Sequence, residues 1–132
     1  MRIVRTEAAP APVAGAPYSQ AVVAGAGRTV HVSGQLGIDP ATGALVDGGV
    51  REQTAAALRN VAAILDAAGA RLGDVVATTV YLADLAADFP GMNAAYAEGL
   101  AGHAPARATV GVAALPMGAR VEIAAVAVIG AA

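Results

Sequence analysis

The chain of 132 residues carries a formal net charge of −2 and contains no cysteine, and all eight of its basic residues are arginine. That excludes disulfides, thiolate nucleophiles, sulfur-ligated metals, Schiff-base lysines and the P-loop lysine. A net charge of −2 argues against a nucleic-acid scaffold, and 57% hydrophobic residues against 14% charged is apolar enough to predict a surface hidden between subunits.

The N-terminal "MRIVRTEAAPAP" starts with a charge, and Glu7 and its prolines interrupt any signal-peptide core. No apolar run reaches the length of a membrane span. A cytoplasmic protein with no membrane partner is the expectation. "PYSQAVVAG" and "GRTVHVSGQLG" read as two strands joined at "GAG" as a hairpin. In the second, Val30 and Val32 face one way, and Thr29, His31 and Ser33 the other. "DPATGALV" is a turn leading into a short extended piece. Val50 to Ala68 is the clearest helix, with Leu58, Val61, Ile64, Leu65 and Ala68 at helical spacing and Gly69 to end it.

"DVVATTVYLAD" is a third strand, rich in β-branched residues. A second helix is expected from Phe89 to Leu100, capped by Asp88 with Pro90 in its first turn. "ARATVGVAAL" and "ARVEIAAVAVIG" close the chain as two strands around "PMG". The order β-β-(β)-α-β-α-β-β predicts an α+β fold, residues 1–132 forming a single domain: one mixed sheet with two helices on one face. Nothing remains in the chain to cover the other face, so an oligomer is expected.

Few residues can carry chemistry. Arg107 opens an apolar strand and shares a face with Thr109 and Gly111, leaving room for a ligand. An unpartnered buried guanidinium is costly, and its planar fork matches a carboxylate. The bland alternative is an ion pair with an Asp or Glu. Glu122, in the apolar "RVEIAAVAV", suits a group that holds a water, or one that partners a core Arg or Tyr. If "PMG" closes a hairpin centred near Met117, Glu122 lies opposite Val112, roughly 17 Å from Arg107. A second subunit could then supply what is missing. "SGQLG" turns at Gly34, where a ligand can approach the backbone beside Ser33 and Gln35, and Tyr18 can close over a small ligand or simply pack. His31 and His103 are a possible pair. No spacing of metal ligands is present, so no metal is expected.

Together "PYSQA", "VSGQLGIDPATGAL", "QTAAALRNVAAILDAAGARLGDVVATTVYLADLAADF", "MNAAYAE" and "PARATVGVAALPMGARVEIAAVAV" resemble the RidA family, also called YjgF-type enamine/imine deaminases. The resemblance runs from Pro17 to Val128. It implies a chorismate-mutase-like α+β fold, a homotrimer with sites between subunits, and no cofactor. The implied reaction is hydrolysis of small 2-imino or 2-enamino acids to 2-oxo acids and ammonia. Carried over position by position, Arg107 clamps the substrate carboxylate and Glu122 holds the attacking water. Tyr18, Ser33, Gly34, Gln35 and Asn93 line the cleft, and Tyr96 packs. Two positions depart from many members: Ala16 replaces a glycine, and Thr109 a cysteine, which keeps the cleft polar but removes thiol chemistry. A non-enzymatic ligand-binding or regulatory protein on the same fold is the rival reading. An endoribonuclease is a weaker one, given the acidic balance, the single Phe and the absence of Trp.

Overall fold

A computed structural model describes residues 1–12 and 16–130. Chain order runs β1 (Arg2–Val4), β2 (Ala21–Val23), β3 (Gly27–Leu36), α1 (Val50–Ala67), β4 (Val75–Leu82), α2 (Leu85–Leu100), β5 (Ala106–Gly111) and β6 (Val121–Gly130). The last four strands form a mixed sheet in the order β3-β6-β4-β5, with β4 and β5 parallel and the other pairs antiparallel. The α+β architecture with both helices packed against that sheet is as expected.

α1 forms because its apolar residues recur at helical spacing, and Val50, Ala57, Leu58, Val61 and Leu65 are buried. Glu52 folds back to accept the Gly49 N–H at 2.7 Å, and Gly69 at φ +81° turns the chain out of the helix. Asn60 donates to the Leu36 and Ile38 carbonyls at 3.0 and 2.9 Å, tying α1 to the end of β3. The core lies between α1, α2 and the inner sheet face, where Val80, Leu82, Val121 and Ile123 are buried. On the outer face Thr29, His31, Ala77, Thr79, Ala124 and Val126 all retain solvent exposure.

Three expectations are corrected. No β2–β3 hairpin forms: β2 pairs with the unforeseen β1, through Val4–Ala21 to Arg2–Val23, as a separate two-stranded sheet. α2 starts at Leu85, a turn early, because Asp84 accepts the Ala87 N–H at 3.1 Å and takes the cap. Asp88 is thereby freed to point inward, and Pro90 becomes the sixth helical residue. Finally, β5 and β6 are not a hairpin. After Met117 and Gly118, at φ +61° and +65°, the chain crosses the end of β4 and inserts β6 between β3 and β4. Glu122 therefore lies opposite Tyr81, not Val112.

Candidate active site

Alternation along β5 sends Arg107 and Thr109 to the helix side of the sheet, because Arg107 is in register with the buried Thr78 and Thr109 with the buried Val80. The "PYSQ" segment is hooked beside them. Ser19 donates its N–H to the Pro105 carbonyl at 3.2 Å and its hydroxyl to the Ala104 carbonyl, which carries Tyr18 to the same place.

Arg107 is half-buried. Its Nη1 donates to Asn93 Oδ1 at 2.7 Å. Its guanidinium carbon stands 4.9 Å from the ring centre of Tyr96, 5.3 Å from Tyr18 and 5.8 Å from Phe89, within cation–π range of each. Burial pulls its pKa below the usual arginine value, and the neighbouring Tyr96 and Tyr18 work against that shift. Tyr96 is fully buried, which raises its pKa, and its hydroxyl shares a 2.7 Å hydrogen bond with Thr78. Among the described residues no carboxylate pairs with Arg107; the ion pair formed there is Arg120 with Asp88. The fork rests on a neutral amide and three rings, with donors to spare. Two residues along, the Thr109 hydroxyl oxygen is buried with no partner.

Glu122 projects from the other face. Val121 and Ile123 on either side are buried in the core, so Glu122 turns away from it with its β4 neighbour Tyr81. Its carboxylate lies against Gly34, where an added Cβ would stand 2.2 Å from Oε2. The close approach at Gly34 is made by this carboxylate, and any side chain there would displace it. The register of β3 against β6 slips between Val32 and Gln35, a bulge that lifts Ser33 and Gly34 into solvent. Gln35 donates from its side chain to the Ser33 carbonyl at 3.2 Å.

The candidate residues thus form two groups on opposite faces of one sheet. Tyr18, Asn93, Arg107 and Thr109 make one; Ser33, Gly34 and Glu122 make the other, while Gln35, past the bulge, is in register with the buried Ile123 and so falls on the helix side. The histidines do not pair: His103 Nε2 donates to the Val75 carbonyl at 2.6 Å, while His31 is exposed on β3. Neither a depression of ≈ 470 Å³ over the outer helix faces nor one of ≈ 440 Å³ beside Tyr18 is lined by Arg107 or Glu122. No group of three or more His, Cys, Asp or Glu among the described residues could hold a metal.

Sequence reasoning missed Phe89 and read Tyr96 as packing alone. A signal was present: the chain has one Phe, three Tyr and no Trp. Three of those four rings surround one guanidinium.

The family described as Endoribonuclease L-PSP matches residues 6–129. A 2-iminobutanoate/2-iminopropanoate deaminase of Capra hircus is 51% identical over 129 residues, which span 98% of this chain and 90% of that protein. The crystal structure of RidA from the Antarctic bacterium Psychrobacter superposes with a TM-score of 0.73 at 44% identity, covering 98% of this chain and 100% of the other. E. coli TdcF with bound serine superposes at 0.72 with 38% identity, and the same shares are covered.

Proposed function

The chain belongs to the Endoribonuclease L-PSP family, which includes the RidA deaminases, and from that premise we propose the following chemistry. The protein is a deaminase that hydrolyses 2-iminobutanoate, 2-iminopropanoate and related 2-enamino acids. Water adds to the imine carbon, the C–N bond breaks, the water's two protons pass to nitrogen, and a 2-oxo acid and ammonia leave. Arg107 grips the substrate carboxylate. Glu122 orients the water, takes one of its protons and returns it to nitrogen. The imine is already electrophilic, so the protein's part is positioning. Tyr18, Ser33, Gly34, Gln35, Asn93 and Thr109 shape the cleft, and Phe89 and Tyr96 back the guanidinium.

The observation that carries this reading is the Arg107 fork: a half-buried cation seated on Asn93 and three rings, with no carboxylate of its own among the described residues. Such a group is built to receive an anion. The family description also names an endoribonuclease. The inward-turned rings, with Tyr96 fully buried, favour the small acid over a base-stacking surface.

The same proposal includes a cytoplasmic homotrimer of the chorismate-mutase-like kind, with sites between subunits. The placement of Arg107 and Glu122 on opposite faces supports it, because a cleft between chains brings one from each. So does the uncovered sheet face, on which Val110 is 41% exposed. The test is ammonia release from 2-iminopropanoate generated in situ, against the spontaneous rate. Arg107→Ala should lose about 10²-fold in kcat/KM, equivalent to about 2.7 kcal/mol of carboxylate binding. A wild-type protein at the spontaneous rate, or a variant equal to it, sinks the assignment.

A further inference from the structure

Asp88 and Arg120 fall outside the two groups of site residues, yet they stand between them. Arg120 donates from Nε to Asp88 Oδ2 and from Nη2 to Asp88 Oδ1, both at 3.0 Å. This is the two-pronged geometry that fixes orientation as well as distance. Asp88 is 4% exposed. The backbone of residue 120 is held as firmly. Its N–H donates to Oε1 of the buried Gln53 on α1 at 2.9 Å, and its carbonyl accepts from Ala83, just past β4, at 3.1 Å. One residue thus joins α1, β4 and α2 at the point where β6 begins.

Glu122 lies two residues further on. Among the described residues its carboxylate makes no hydrogen bond or ion pair within the chain; it meets Gly34 by contact alone. Its place is therefore inherited from the backbone that carries it. On the other side of the pair, Asp88 adjoins Phe89 and precedes Asn93 by five residues on α2, and both of those touch Arg107.

We propose that Asp88 and Arg120 are positioning residues for the deamination: the pair sets the start of β6 and through it the water-holding Glu122. This rests on the assignment of Glu122 above. Neither residue touches substrate. The loss on removing the Arg120 side chain should therefore fall on turnover and spare the carboxylate grip, because Phe89 and Asn93 remain seated on the intact α2.

The experiment measures kcat and KM on 2-iminopropanoate for wild type, Arg120→Leu, Arg120→Lys and Glu122→Gln. Arg120→Leu should lower kcat by about tenfold, less than the ~10²-fold that a misplacement of about 1 Å costs a reacting group. KM should stay within about twofold, as expected when ground-state binding is untouched. Arg120→Lys, which keeps the charge beside Asp88 but loses the two-pronged contact, should recover only part of the loss. If Arg120→Leu does not fold, Asp88→Asn, of equal volume, carries the same expectation. An inactive Glu122→Gln beside an Arg120→Leu of wild-type kcat overturns this proposal alone, as does an Arg120→Leu loss that falls on KM and leaves kcat unchanged. Wild-type turnover in Glu122→Gln overturns the role of Glu122, and this inference with it.

Discussion

Arg107 is held at a disadvantage. Burial pulls its pKa down, so the unfolded chain binds that proton more tightly than the folded one does. The sign follows. At neutral pH the guanidinium is charged in both states and its burial opposes folding, and the opposition lifts only as pH rises through the lowered pKa. Asn93 and the three rings offset part of it, and no carboxylate offsets the rest. Arg107→Leu fills the space without the charge. It should raise stability by about 1 kcal/mol while abolishing deamination, the exchange expected where a site is strained for function. Urea unfolding at one fixed protein concentration measures it. A destabilised Leu variant would mean that Arg107 holds the fold together and awaits no ligand.

At the scale of elements, α2 is the bracket of the site, since it carries Phe89, Asn93 and Tyr96 to Arg107 and Asp88 to Arg120. α1 is the brace behind β3. At Gly37, just past β3, a Cβ would stand 2.7 Å from both Cα and the carbonyl oxygen of Gln53. Those are backbone atoms and cannot swing aside. Gly37→Ala should destabilise the protein by about 2 kcal/mol through overpacking, read as a lower urea midpoint with an unchanged slope. A neutral result would show that α1 and β3 can slide apart. α1 itself was legible in the sequence because eighteen residues keep one period. β1 and β2, three residues each, are too short to show one. The start of α2 was misread because Asp84 and Asp88 both look like caps, and only the partner Arg120, 32 residues away, decides between them. Arg107 and Glu122 stood out as charges inside apolar strands. Phe89 and Tyr96 did not, because an aromatic at helical spacing reads as core. Strand adjacency was the hardest part, since a local turn at "PMG" does not say that the chain will cross β4.

At the scale of the whole molecule, the sheet is what separates the two groups. Arg107 and Glu122 lie on β5 and β6, which flank β4. Their neighbours on β4, Thr78 and Tyr81, are three residues apart, and an odd separation on a strand means opposite faces. No rotamer change brings the two together within one chain. If the proposed clefts join the Arg107 face of one subunit to the Glu122 face of the next, each chain serves two sites. Two inactive variants should then repair each other. Arg107→Ala and Glu122→Gln chains, co-expressed with different tags, form mixed trimers. Every mixed trimer has one intact cleft, which takes its Arg107 from the Glu122→Gln chain and its Glu122 from the Arg107→Ala chain. With equal expression and random assembly the pool should regain about one quarter of wild-type ammonia release, because a closed ring of three always contains one such junction when two chain types are present. Sites contained within one chain predict no recovery at all. Recovery confined to the doubly tagged fraction would assign the two residues to different subunits of one cleft, whereas a mixed fraction as inactive as its parents would reject the shared site.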